Sequence, residues 1–280
     1  MLCAIVRIDR PISVALRGGL GNQLFCWAAG FSLSAKLGRE LLLLGGKIRR
    51  TDHHILDPRT FDLDYFGLEE ATSWQNFSNS YLKRKLEFRE RGFEYDPRFE
   101  QIQEPVHLEG YFQSWRYFQD VQQLISDTLI SKMSFSPQAN AVWQEVRDVP
   151  WVGVHVRRGD YEKVGVMALP DHNYYQSAIQ RAQGLTGATK VFVFSDDISA
   201  ARKLVPLADR YLGPDEVSSP GDVLNFLSRA DALVGANSTL SWWAGFLNRR
   251  AQAPRIFPRE WFSQNSEDLG DLLPPSWEKL

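Results

Sequence analysis

Twice in this chain a short apolar run stops at an arginine–glycine turn and gives way to helical spacing. That arrangement restricts the fold more than any other feature. In the first half, Ile12 to Leu16 runs into Arg17-Gly18-Gly19-Leu20-Gly21-Asn22-Gln23. Apolar residues then recur at Leu24, Trp27, Ala28, Phe31 and Leu37, one face of a helix that Gly38 closes. Leu41–Leu44 is a second apolar strand, stopped by Gly45-Gly46. Strand, glycine-rich turn, helix and strand open a parallel α/β sheet. From Arg49 to Asn140 the pattern is irregular and polar-aromatic, with helices expected near Tyr117–Leu129 and Ala139–Val146.

The alternation restarts at Trp151–Val156, an apolar run that ends in Arg157-Arg158-Gly159-Asp160. Tyr174–Ala182 reads as a helix, Lys190–Phe194 as a buried strand before Ser195-Asp196-Asp197, and Ser199–Leu204 as a helix. Tyr211 closes a weaker strand, and Ser219-Pro220-Gly221-Asp222 has the N-cap, proline and acid of a helix start. Ala232–Ala236 is then a strand and Ser241–Leu247 a helix. The expected architecture is α/β, with two Rossmann-like domains facing each other across a cleft, residues 1–148 and 149–280.

Composition narrows the ligands. With 32 Lys and Arg against 34 Asp and Glu, the formal charge is −2, which leaves no polybasic excess for nucleic acid or a membrane surface. An anionic ligand has to be caught by a local arginine cluster. Cys3 and Cys26 are the only cysteines, too few for a disulfide framework or a Cys-rich zinc site. No stretch approaches 18 uninterrupted apolar residues, so neither a signal peptide nor a membrane span is expected, and the location expected is cytoplasmic. Nine Trp, nine Tyr and 17 Phe offer faces that stack on sugars and bases, although most belong to the core.

Three turns carry candidate chemistry. The Gly18–Gln23 turn lies at a strand's carboxyl end, where glycines let backbone approach an anion and the next helix offers free N–H groups. It departs from the dinucleotide fingerprint at Leu24, and Gly45-Gly46 stands where that fingerprint wants an acid. In His155-Val156-Arg157-Arg158-Gly159-Asp160-Tyr161, strand alternation puts His155 and Arg157 on one side, and a guanidinium can hold two phosphate oxygens. Arg158 fits either a donor contact or a structural ion pair with Asp160 and Glu162. Asn237-Ser238-Thr239 opens a helix with hydroxyl and amide donors, a second anion site or a simple N-cap. Asp196 ends a strand and suits a nucleotide contact or a cap. Asp62-Leu63-Asp64 has D-x-D spacing but no strand to present it, and His53, His54 and His107 lack partner ligands, so no metal is expected.

Five blocks occur in one order: G-G-L-G-N-Q-L-F, G-Y-F-Q-S at Gly110–Ser114, H-V-R-R-G-D-Y, F-S-D-D at Phe194–Asp197, and A-N-S-T-L-S-W-W-A-G-F-L-N at Ala236–Asn248. Together they resemble glycosyltransferase family 11, the α-1,2-fucosyltransferases, in its bacterial form, over roughly residues 12 to 260. Cys26-Trp27, where Gln-Tyr is usual, is the departure. The resemblance implies a GT-B fold, GDP-β-L-fucose as donor substrate, a terminal β-galactoside glycan as acceptor, and no cofactor or metal. It implies further that Arg157 contacts the β-phosphate and His155 lies near guanine or phosphates. Ser238 and Thr239 match pyrophosphate contacts, and Gly21 and Asn22 match a first-domain loop over the donor. Asp160 is the expected general base, with Glu162 and Asp171 behind it. Membrane association would be peripheral, through a lipid-linked acceptor. A nicotinamide oxidoreductase and a lectin-like module are the rival readings.

Overall fold

The computed structural model describes residues 10–45, 60–70, 86–159, 167–262 and 271–280. Cys3, His53, His54, Asp160, Tyr161 and Glu162 lie outside these residues.

The first sheet holds β1 (Ile12–Ala15), β2 (Leu41–Leu44), β3 (Glu87–Arg89) and β4 (His107–Glu109) in the order β2-β1-β4-β3, all parallel. Helix α1 (Leu20–Leu37) joins β1 to β2, and Gly38 ends it in the left-handed region at φ +62°. A 3-10 turn (Trp115–Val121) leads into α2 (Gln122–Lys132), followed by α3 (Pro137–Val146).

The second sheet starts with β5 (Trp151–Val156), α4 (His172–Thr186), β6 (Lys190–Ser195), α5 (Ile198–Leu204) and β7 (Arg210–Leu212). It continues with α6 (Pro220–Leu227), β8 (Ala232–Val234), α7 (Thr239–Phe246), β9 (Arg255–Phe257) and β10 (Glu278–Lys279). Its order is β10-β9-β8-β5-β6-β7, again parallel throughout. Every residue of β5 is buried, as expected of a central strand covered on both faces.

One face of the second sheet packs Val152, Val154 and Val193 under Tyr175, Ala178 and Ala182 of α4. The other face joins a larger apolar cluster that runs continuously into the first sheet. Its centre is aromatic: Phe25 of α1 lies 4.6 Å from Trp242 and 5.2 Å from Trp243 of α7, centroid to centroid, and Phe118 stacks on Trp243 at 5.7 Å. Trp242 and Trp243 are fully buried, so they are core rather than sugar platforms. Burying a side chain of this size stabilises the fold by roughly 2–3 kcal/mol. Helix α3 and the residues just before it also lean on the second sheet's layer, with Trp143 6.0 Å and Phe135 4.6 Å from Phe226 of α6 and Arg210 paired to Glu145 at 2.6 Å.

Candidate active site

Both sheets are laid down outward from a central strand and then resumed on its other side. In the second, the chain runs from β5 through β6 to β7 and returns to place β8 on the free edge of β5. The carboxyl ends of β5 and β8 therefore flank a crevice, the position at which open parallel sheets receive ligands. His155 and Arg157 stand at one lip, and Asn237, Ser238 and Thr239 at the other.

The first turn of α1 lies directly on the first turn of α7. A Cβ on Gly21 would come 2.5 Å from the carbonyl carbon of Thr239 and 2.6 Å from the Leu240 nitrogen, so only glycine permits this contact. The two helix ends share another property. Helices α3, α4, α5 and α6 have N-caps at Ser136, Asp171, Asp197 and Ser219 whose side chains accept a backbone N–H. Gly19 before α1 and Ser238 before α7 make no such bond, nor does Val121 before α2. Two uncapped N-termini thus abut, each with unpaired N–H groups and a partial positive charge, which together form a receptor for an anion. Gln23 braces the glycine turn: its amide donates to the carbonyls of Gly18 (2.9 Å) and Thr60 (2.8 Å) and accepts from the Asp62 N–H (3.0 Å). Asn22 Oδ1 accepts from Gln113 Nε2 at 2.8 Å.

His155 is buried, with Nδ1 2.5 Å from Ser241 Oγ on the first turn of α7. That oxygen also accepts the Ala236 N–H at 3.2 Å. Burial, aided by the nearby charge of Arg157, lowers the imidazole to about 3, so it is neutral at physiological pH. It fastens β5 to α7 and brings no positive charge. Arg157, two residues on and on the same side of the strand, pairs through Nη1 with Asp196 Oδ2 at 2.9 Å. Asp196 Oδ1 accepts the Arg158 N–H at 3.0 Å.

Two of the expected donor contacts, Arg158 and Asn237, have backbone partners of their own. The Arg158 guanidinium is buried and donates to the Pro170 carbonyl, because alternation turns it to the α4 face and away from Arg157. The Asn237 amide spends both hydrogens on backbone, the carbonyls of Ala168 and of Trp261 (3.1 Å for the latter), and so ties two loops to the lip. Asp171 caps α4 by accepting the Tyr174 N–H at 2.9 Å. Asp62 accepts from Thr60 Oγ1 at 2.6 Å and Asp64 from the Tyr65 N–H at 2.9 Å, in a 3-10 turn rather than at a strand end. Among the described residues, no three His, Cys, Asp or Glu side chains group as metal ligands. Sequence reasoning passed over Gln23 and Ser241, whose spacing from their glycine turn and strand end is the only signal they leave.

Residues 8–277 match the model of Glycosyl transferase family 11. This chain belongs to that family. An α-1,2-colitosyltransferase of Escherichia coli is 26% identical over 95% of this chain and 97% of its own length. The O-antigen biosynthesis glycosyltransferase WbnK of the same species is 25% identical over 95% and 99%. The galactoside 2-alpha-L-fucosyltransferase SEC1 of Bos taurus is 26% identical over 84% of this chain and 64% of its own. Among solved structures, fucosyltransferase NodZ of Bradyrhizobium superposes with a TM-score of 0.50 at 17% identity, covering 85% of this chain and 94% of that one. Arabidopsis thaliana FUT1, crystallised with GDP, gives 0.50 at 16%, covering 86% and 68%. The fold of this family 11 chain is accordingly GT-B-like. Leu24, fully buried where a dinucleotide loop wants a small residue, fits that assignment and not the nicotinamide rival. Among the described residues no helix is long and apolar enough to cross a membrane.

Proposed function

We propose that this family 11 enzyme moves L-fucose from GDP-β-L-fucose to the 2-hydroxyl of a terminal β-galactoside, with inversion at the anomeric carbon. Family membership and the relatives' names support the reaction. The observation that carries the donor assignment is the abutment of two uncapped helix ends at Gly21 and Thr239, with Arg157 two residues past the His155 that bonds Ser241 in the first turn of α7. Such a site suits a diphosphate, with Gly21, Asn22, Ser238 and Thr239 around it.

In the reaction the bond from C1 of fucose to the β-phosphate oxygen breaks, and that oxygen keeps the electron pair. The acceptor oxygen bonds to C1 from the opposite face and loses its proton. The transition state is oxocarbenium-like, and its cost lies in charge separation. Arg157 and the N–H groups of α1 and α7 stabilise the charge gathering on GDP, with no reorganisation needed as it forms. Asp160 is our assignment for the base, on its nearness in sequence to Arg157, and an Asp160→Asn enzyme with an unchanged pH–rate profile would remove it. Residues 1–148 serve the acceptor and 149–280 the donor. The acceptor is reached in the cytoplasm, with any membrane contact made through its lipid carrier.

The relation to a colitosyltransferase supports a second donor, the GDP-activated 3-deoxy analogue of fucose. The test is transfer from both donors to a panel of β-galactosides, with linkage read by NMR and with EDTA in parallel. GDP-fucose should give an α-1,2 product at a rate that EDTA leaves unchanged. Preference for the deoxy donor would move the assignment to it, and metal-reversible loss would bring Asp62 and Asp64 back.

A further inference from the structure

The block at Gly110–Ser114 has no part in the donor chemistry, yet it contains the most constrained backbone among the described residues. Phe112 sits at φ +54°, the one non-glycine residue there with a positive φ. A side chain of that bulk stays in this region only when its surroundings impose it, and such positions concentrate at functional sites. Glu90 imposes it: Oε2 accepts the N–H groups of both Tyr111 (2.8 Å) and Phe112 (2.9 Å). The carboxylate comes so close that a Cβ on Gly110 would lie 2.6 Å from it.

The turn so held borders the first sheet's own switch point. Strands β1 and β4 are neighbours, with β2 outside one and β3 outside the other, so the crevice above their carboxyl ends is this sheet's ligand position. Arg17 leaves β1 at that crevice and Glu109 ends β4. Arg17 Nη2 donates to Glu109 Oε2 at 3.0 Å, His107 Nε2 lies 2.9 Å from Glu109 Oε1, and Ser13 Oγ lies 3.0 Å from His107 Nδ1. Burial decreases along this chain. The side chain of Glu109 is 7% exposed and that of Arg17 22%, and the guanidinium carbon lies 5.6 Å from the centre of the half-buried Tyr111 ring. Ionisable groups are costly to take out of water, and the pairing of four strands requires none of them.

We propose that Arg17 and Tyr111 form the subsite for the acceptor's terminal sugar, with Glu109 and Glu90 as positioning residues. The inference rests on the transferase reading and adds the residues that recognise its second substrate. A neutral pyranose has an apolar C–H face and a rim of hydroxyls. An aromatic ring takes the face, and a guanidinium of fixed orientation donates to the rim. A diphosphate fits less well, since Glu109 already balances the charge of Arg17. Gln113 joins the turn to Asn22 in the glycine loop at 2.8 Å, which sets this crevice next to the helix ends that would hold the donor.

The experiment uses the full chain and the variants Arg17→Ala, Tyr111→Ala, Glu109→Gln and the double variant Arg17→Ala/Glu109→Gln. Each is measured for acceptor KM with a β-galactoside, for GDP Kd by calorimetry, and for slow GDP-fucose hydrolysis without acceptor. Arg17→Ala and Tyr111→Ala should each raise acceptor KM by about tenfold, the loss of one charge-assisted hydrogen bond or one stacked face, with GDP Kd and hydrolysis unchanged. Glu109→Gln should raise it less, and the double variant should match Arg17→Ala, since Glu109 acts through the arginine. An unchanged acceptor KM in both Arg17→Ala and Tyr111→Ala overturns the subsite, as does a tenfold weaker GDP affinity with acceptor KM intact. A wild-type chain that binds no GDP is a separate result and overturns the transferase reading with it.

Discussion

Each sheet sets an arginine at its switch point, and each arginine meets a carboxylate from the neighbouring strand end at nearly the same distance. Arg157 and Asp196 are 2.9 Å apart, Arg17 and Glu109 3.0 Å. Their surroundings differ. Arg157 and Asp196 are 25% and 22% exposed, so both partners keep some contact with water, and the contrast with the first sheet lies in the carboxylate. Under the proposed function, an incoming diphosphate would compete with Asp196 for Arg157. Glu109 is buried and also holds His107, so parting it from Arg17 strands a charge in the interior, at about 3–5 kcal/mol. One arginine has a partner that is itself partly open to solvent, and follows the strand that His155 ties to α7. The other is committed to its partner. The first arrangement suits a substrate whose charge changes during reaction, and the second suits one that stays neutral.

Removing Arg157 is the most severe way to test this contrast. Arg157→Ala should cost about 10²–10³ in kcat/KM while the protein stays folded, as loss of one donor to developing charge does elsewhere. Retention of a tenth of wild-type kcat/KM would contradict its role. Next comes the ground between the two arginines. Gly21→Ala drives a methyl into the backbone of Thr239 and Leu240 and should cost about 1–3 kcal/mol of stability with a loss of GDP affinity, read by thermal melts and calorimetry. A variant of full stability and affinity would mean that the helix ends can part freely. Freeing Arg157 from Asp196 is milder. Asp196→Asn should shift GDP affinity by no more than about tenfold, the range of a partly exposed ion pair, and a loss as deep as that of Arg157→Ala would show that the diphosphate does not simply displace Asp196. The last effect is on pH, and it is spread over several units. Unfolded histidine takes up a proton near pH 6.5, but folded His155 does not until about 3, so stability from this group holds above 6.5 and falls as pH drops through that window. The slope approaches about 1.4 kcal/mol per pH unit, and a His155→Gln variant in denaturant titrations should lack it.

The strands and helices with a full period were legible in the sequence. Expected and observed spans of β1, β2 and β5 agree to within one residue, whereas α1 begins at Leu20, four residues before the expected Leu24, because its first turn is built from Gly21, Asn22 and Gln23 rather than from a periodic apolar face. Strands β3, β4 and β9 were not, because three residues cannot display an alternation. At the site, the five blocks located the turns, but partners set by register were hidden. Asp196 reaches Arg157 only because Val156 pairs with Ser195 across β5 and β6, a match made far apart in sequence. Glu109 finds Arg17 by the same route, through Val14 beside Leu108. Alternation did contain the answer for Arg158, which must face away if Arg157 faces in.

The aromatic stack of Phe25, Phe118, Trp242 and Trp243 belongs to both sheets at once. Mainspring and casing are one piece here: parting the two sheets would tear rings from their neighbours. Efforts to retarget the enzyme therefore belong at side chains around the site and not in this shared core, where a change would be felt by both sheets.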